Sequence, residues 1–193
     1  ELAAQQPGKK FYLEGINNYK AKRYEEAIRD FEKAIKAEPL QYKYFARKAR
    51  AEIKLKKLDE SIKSLEQAVE LNPGYTSGYV YLSKLYLKKE DPDKALSYMN
   101  TAFEKEQDQY KKLGYKIQVV NLLLKMGKAE EASKELQAAK SISSSDIRVL
   151  LAEGHVAGSL GQWQQALDAY EKAYQKAQAA GASKLELGKY RYR

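Results

Sequence analysis

The sequence predicts an all-α chain of about five stacked helix pairs, and three observations carry that prediction. A small–large–small pattern at helical spacing returns five times. Residues that start or stop helices return with nearly the same period. Hydrophobic residues make up 44% and charged residues 32% of the 193, too apolar a mixture for a disordered chain.

The repeating pattern is Ala-x-x-x-Φ-x-x-Ala, where Φ is a large apolar side chain. Its copies are Ala27-Phe31-Ala34, Ser61-Leu65-Ala68, Ala95-Met99-Ala102, Ala132-Leu136-Ala139 and Ala166-Tyr170-Ala173, spaced 34, 34, 37 and 34 residues apart. Positions i, i+4 and i+7 lie along one helix stripe, and small residues at both ends let a neighbouring helix approach closely. About a dozen residues before each copy also read as helix: Phe11, Gly15 and Tyr19 share one face in the first unit, and Leu150, Gly154 and Val156 mark the fifth.

The breaks fit the same period. Pro39 and Pro73 stop helices. Asp91-Pro92 reads as an N-cap followed by proline at the first helical position, and Asp146 reads as another N-cap. Gly127 and Gly161 close the first helices of units four and five. The acidic pairs Glu25-Glu26 and Glu130-Glu131 open second helices, where negative charge favours the helix dipole. The expected units are 8–40, 42–74, 76–108, 113–145 and 147–179, after a flexible lead over 1–7 and before a capping helix or the start of a sixth unit over 180–193. Leu187-Gly188 falls on the position of Gly154 in that sixth unit, and Lys189 to Arg193 form a basic, tyrosine-rich end.

These residues resemble the tetratricopeptide repeat (TPR) family over nearly the whole chain. Unit one matches through Phe11, Gly15, Tyr24, Ala27, Phe31, Ala34 and Pro39, and unit two through Phe45, Ala49, Leu58, Leu65, Ala68 and Pro73. Unit four departs from the pattern: Val120 stands where a small residue is usual, three residues are inserted before it, and its first helix is expected to pack differently. The resemblance implies a right-handed α-solenoid in which each pair buries its stripe against its neighbours and first helices line a concave groove. It also implies a protein-binding scaffold.

Charge and chemistry narrow the function further. The chain has no Cys, one His (His155) and no phosphate-cradling glycine loop, so no catalytic residue, cofactor or metal is expected. Val119-Val120-Asn121-Leu122-Leu123-Leu124 is the most apolar stretch, far below the ~18 residues of a membrane span. A net charge of +9 favours acidic partners. From Lys43 to Lys57, seven cations stand against Glu52 alone, and Lys43, Arg47, Arg50 and Lys54 follow one helical stripe.

On the family's register the partner-binding groove is expected to present Lys9, Tyr12 and Tyr19, then Lys43, Ala46, Arg47, Arg50 and Lys54, then Ser77, Tyr81, Lys84 and Lys88, with Ile117, Asn121, Arg148 and His155 in the last two units. The Lys and Asn clamp by which TPR co-chaperones hold a chaperone tail is missing, since Tyr12 and Ile16 occupy its first-unit positions. The expected partner is an acidic protein or peptide segment. Binding of RNA or single-stranded nucleic acid by the same basic, tyrosine-bearing surface is the alternative. Association through the ends of the array is a further expectation. Gln5, Gln6 and Pro7 read as a lead such as follows a removed export signal or a tag, which slightly favours an exported or periplasmic setting.

Overall fold

The computed structural model describes residues 7–187, with the backbone alone at 184 and 185. Gln5, Gln6, Gly188 and the basic end from Lys189 lie outside the described residues. Helices follow one another throughout: α1 (Pro7–Lys20), α2 (Tyr24–Ala37), α3 (Tyr42–Lys54), α4 (Leu58–Leu71), α5 (Thr76–Lys88), α6 (Pro92–Lys105), α7 (Gln109–Lys125), α8 (Ala129–Ile142), α9 (Ile147–Ser159), α10 (Trp163–Ala179) and α11 (Lys184–Leu187). Two boundaries differ from expectation. Pro7, placed in a flexible lead by the sequence, opens α1, where its fixed φ suits a first helical turn. α7 begins at Gln109 and not at 113, because the Asp108 carboxylate accepts a 2.8 Å hydrogen bond from the Lys111 backbone N–H and caps the helix there. The extra residues of unit four lengthen α7 to 17 residues, against 13 in α3, α5 and α9.

The chain divides into two compact units between Tyr98 and Met99, inside α6. In the first, α1 packs on α2 and α3, α3 on α4, and α4 on α5. The Ser83 hydroxyl donates to the Ala95 carbonyl at 2.7 Å and joins α5 to the start of α6. In the second, α7 packs on α8 and α9, α9 on α10, and α10 on α11. A first helix that touches both its own partner and the next first helix is the contact pattern of stacked hairpins.

The repeated stripe is the core. Every residue of the five copies is buried except Tyr170, which is half-buried. Phe31 shows how the stripe meets the first helix: a Cβ on Gly15 would lie 2.6 Å from the Phe31 ring. Gly154 stands in the same relation to Tyr170, at 2.5 Å.

The turn between the helices of a hairpin is also repeated. Three residues link the helices each time, and the middle one has positive φ: Lys22 (61°), Lys56 (59°), Glu90 (59°), Gly127 (73°) and Gly161 (73°). Asp91 and Asp146 cap their helices through hydrogen bonds from the Lys94 and Arg148 backbone N–H groups. Ser183 and Glu186 exchange hydrogen bonds as a capping box at α11.

Candidate functional site

The first helices of the first unit enclose a concavity of about 330 Å³. Its lining is Tyr12 from α1, Tyr42, Lys43, Ala46, Arg47 and Arg50 from α3, Tyr75 from the loop before α5, and Ser77 and Tyr81 from α5. The helical stripe explains the cations: positions 43, 47 and 50 return to one face of α3. No acidic residue lines the cavity. Among the described residues no carboxylate lies within 4.0 Å of Lys43, Arg47 or Arg50.

The aromatic residues are held by the core beneath them. Tyr12 packs on Phe31 (6.0 Å between ring centroids) and on Tyr44 (5.0 Å). Tyr44 is itself fixed by a 2.6 Å hydrogen bond donated to Glu38, and burial with that carboxylate pushes its phenol up to about 12. Tyr42 and Tyr75 meet at 5.4 Å. Tyr75 can lie against α5 because residue 78 is glycine: a Cβ there would come within 2.6 Å of the Tyr75 ring. Burial raises the Tyr75 pKa, while Arg50 and Arg47 pull it the other way. The Arg50 guanidinium also rests 5.9 Å from the centre of the Tyr19 ring, a cation–π contact.

Of the residues read from the sequence, the structure brings Tyr12, Lys43, Arg47, Arg50 and Tyr81 to one cavity, with Ala46 and Ser77, and Tyr19 adjoins it through Arg50. Lys9, Lys54 and Lys84 are exposed and do not line it. Lys54 stands eleven residues from Lys43, near the end of α3, where the stripe has run past the cavity. Lys88 instead borders a second cavity of about 270 Å³ with Ile53, Lys56, Lys57, Leu58, Ser61 and Leu85. Asn121 is exposed on α7 in the second unit.

Two further expected groove positions of that unit have these surroundings. Ile117 is a buried core residue of α7. Arg148 is engaged locally, by the Asp146 carboxylate at 2.8 Å and over the Tyr110 ring at 4.1 Å. His155 packs edge-on against Tyr170, and partial desolvation there lowers its pKa from the ordinary value.

Sequence reasoning missed Tyr42 and Tyr75. Both lie at the entry to a first helix, outside the mid-helix register used to find groove positions, although their 33-residue separation and the neighbouring Gly78 were there to be read. The seven-cation run also resolves into different tasks. Lys48 turns away to Glu32 (3.0 Å) and Glu52 (3.6 Å), and Lys56 and Lys57 border the second cavity.

Stacked helix hairpins around a lined concavity define a helical-repeat protein of the kind that serves as a scaffold for other proteins. Two tetratricopeptide-repeat family models match, over residues 12–76 and 52–117, and together they span more than half of the chain. The chain belongs to the tetratricopeptide-repeat family.

Solved structures share its fold. A crystal structure of the MamA protein is 17% identical, with a TM-score of 0.76 over 90% of this chain and 93% of that one. YrrB, described as a TPR protein with an unusual peptide-binding site, is 16% identical, with a TM-score of 0.67 over 86% of this chain and 84% of its own. A tetratricopeptide repeat protein from Parabacteroides merdae ATCC 43184 is 14% identical, with a TM-score of 0.76 over 89% and 67%. No curated protein matches the sequence. Among the described residues no helix is long and apolar enough to cross a membrane, and no group of acidic or histidine side chains is placed to hold a metal ion.

Proposed function

We propose that the chain is a non-catalytic scaffold that holds an acidic segment of a partner protein in the concavity between α1, α3 and α5. The observation that carries this reading is the set Lys43, Arg47 and Arg50, three cations on one face of one helix with no carboxylate partner among the described residues. Like charges at that spacing cost helix stability, and an anion over them removes the cost. Tyr12, Tyr42, Tyr75 and Tyr81 supply apolar area and hydroxyl groups with little rotamer entropy to lose, as recognition surfaces do. YrrB, a structural relative, has a peptide-binding site of its own, which accords with a peptide ligand here.

The test is fluorescence anisotropy with a labelled peptide of Glu, Asp and Leu against its Lys-substituted counterpart. The acidic peptide is expected to bind and to weaken as salt rises. The Arg47→Glu/Arg50→Glu double variant is expected to lose at least about tenfold in affinity, the scale of two removed charge-assisted hydrogen bonds. Equal binding by parent and double variant would sink the electrostatic reading. A mobility shift of single-stranded RNA at physiological salt, lost in the same variant, would promote the nucleic-acid alternative.

A further inference from the structure

The concavity is more cationic than one carboxylate can neutralise. Lys43, Arg47 and Arg50 bring three positive charges to about 330 Å³, and the lining contains no acid to offset them. A single Asp or Glu side chain would leave two charges facing a partly closed space. We propose that the anchor of the bound segment is a phosphorylated side chain, with its phosphate monoester seated between Arg47 and Arg50. This inference rests on the scaffold reading above and specifies what that scaffold grips.

The residue types fit the group. Near neutral pH a phosphate monoester carries about −1.5 to −2 charges and three strong acceptor oxygens. Arg47 and Arg50, three residues apart on α3, each present a planar fork of N–H donors, the geometry that grips phosphate in two-point contacts. Lys43 lies one turn earlier and adds a mobile point charge. The phenols of Tyr42, Tyr75 and Tyr81 and the Ser77 hydroxyl supply further donors around the same space. Tyr75 lines the same cavity as Tyr81, Arg50, Tyr42 and Arg47, and its ring meets that of Tyr42 at 5.4 Å. With Ala46 and the phenol rings lining the rest, the cavity also has an apolar wall for a side chain flanking the phosphate.

The test compares one labelled peptide sequence with Ser, Glu or phosphoserine at its centre, by anisotropy at physiological salt. The phosphoserine form is expected to bind about tenfold tighter than the Glu form, the gain from one added charge and its hydrogen bonds. Arg47→Lys keeps the charge but loses the fork, and is expected to remove most of that advantage. Lys43→Gln, at an exposed position, is a second variant whose fold is not at stake, and it is expected to narrow the advantage as well.

Equal affinity for the Glu and phosphoserine forms, with dependence on Arg47 intact, overturns the phosphate inference and leaves the scaffold reading standing. Failure of both charged forms to bind overturns both. Inorganic phosphate competing at the same concentration as the phosphopeptide would make this a site for free phosphate, and the peptide claim fails. Single-stranded RNA displacing the phosphopeptide at lower concentration would transfer the site to nucleic acid and overturn the claim as well.

Discussion

Glu52 is a carboxylate in the wrong place by the ordinary rules of burial. It is 2% exposed on α3, its Oε1 is 3.6 Å from Lys48, and its Oε2 has no hydrogen-bond partner among the described residues. Burial therefore raises its pKa above 4.5, although Ser64 and Lys48 pull it down. A carboxyl whose pKa is raised by folding contributes stability fully below its unfolded pKa and loses it as pH rises through the folded value. Glu52→Gln is expected to be more stable than the parent at neutral pH, by on the order of 1 kcal/mol, because a neutral amide is less costly to bury than a carboxylate. Thermal melts should show the gap closing as pH falls toward 4.5. A gap that persists at acid pH would contradict it.

The small positions of the first helices follow a similar residue-scale logic. Gly15 and Gly154 precede Phe31 and Tyr170 by sixteen residues, whereas Ala49 and Val120 precede Leu65 and Leu136 by the same interval. Glycine thus appears where an aromatic ring crosses the first helix, and Val120, which departs from the family pattern, stands opposite a leucine. Gly15→Ala gains about 1 kcal/mol of helix propensity but drives a methyl group into a fully buried ring at a cost of about 1–3 kcal/mol. The expected net loss is about 1 kcal/mol, and Phe31→Leu in the same chain should reduce the penalty of Gly15→Ala. Chemical denaturation of the four chains in the cycle measures it. Individual stripe residues were legible in the sequence because spacing names them. The glycine–aromatic pairing is also written there, but needs the hairpin geometry to give it meaning.

At the scale of elements, the short turns carry the clearest strain. Lys22, Lys56 and Glu90 hold the left-handed conformation that Gly127 and Gly161 hold freely. Lys22→Gly and Glu90→Gly are each expected to stabilise by about 0.5–1 kcal/mol, the cost of a side chain at positive φ less the added entropy of glycine when unfolded. Melting temperature reads the outcome, and a loss of stability in both would refute it.

In the second unit the joint between α6 and α7 depends on Lys116, which is buried, donates to Glu135 at 2.6 Å and lies 3.9 Å from the centre of the Phe103 ring. Lys116→Met keeps the stem but strands Glu135. Because Glu135 is a third exposed and can recover water, the expected loss is about 2 kcal/mol, below that for a fully buried pair. Helix starts and stops were readable at Pro39, Pro73, Asp91, Gly127, Asp146 and Gly161, where a marker residue falls in the repeat register. The early start of α7 was not read, because the expected unit began from the repeat register and passed over the cap at Asp108. The role of Lys116 was hidden too, since a lysine in an amphipathic helix reads as solvated until its neighbours are known.

For the molecule as a whole, stability in stacked hairpins is a sum of neighbouring contacts, so a local fault spreads only a short way. Lys116→Met is expected to lower hydrogen-exchange protection in α7 and α8 while leaving α1–α4 and acidic-peptide affinity unchanged. Loss of protection across α1–α4 would show that the chain melts as one block. The fold was almost wholly legible because a period is a global signal carried by many residues. The candidate site was legible in part: a stripe on α3 can be counted, but only the packing tells that Lys54 has passed beyond the cavity and that Tyr42 and Tyr75 have entered it. The uniform three-residue turn has one more consequence. Because each hairpin hands the backbone on at the same length and with the same sign of φ, a 34-codon cassette cut at Lys22 and Lys56 could be duplicated or removed with its junction already shaped, so that the number of hairpins can change by recombination without a new loop having to be invented.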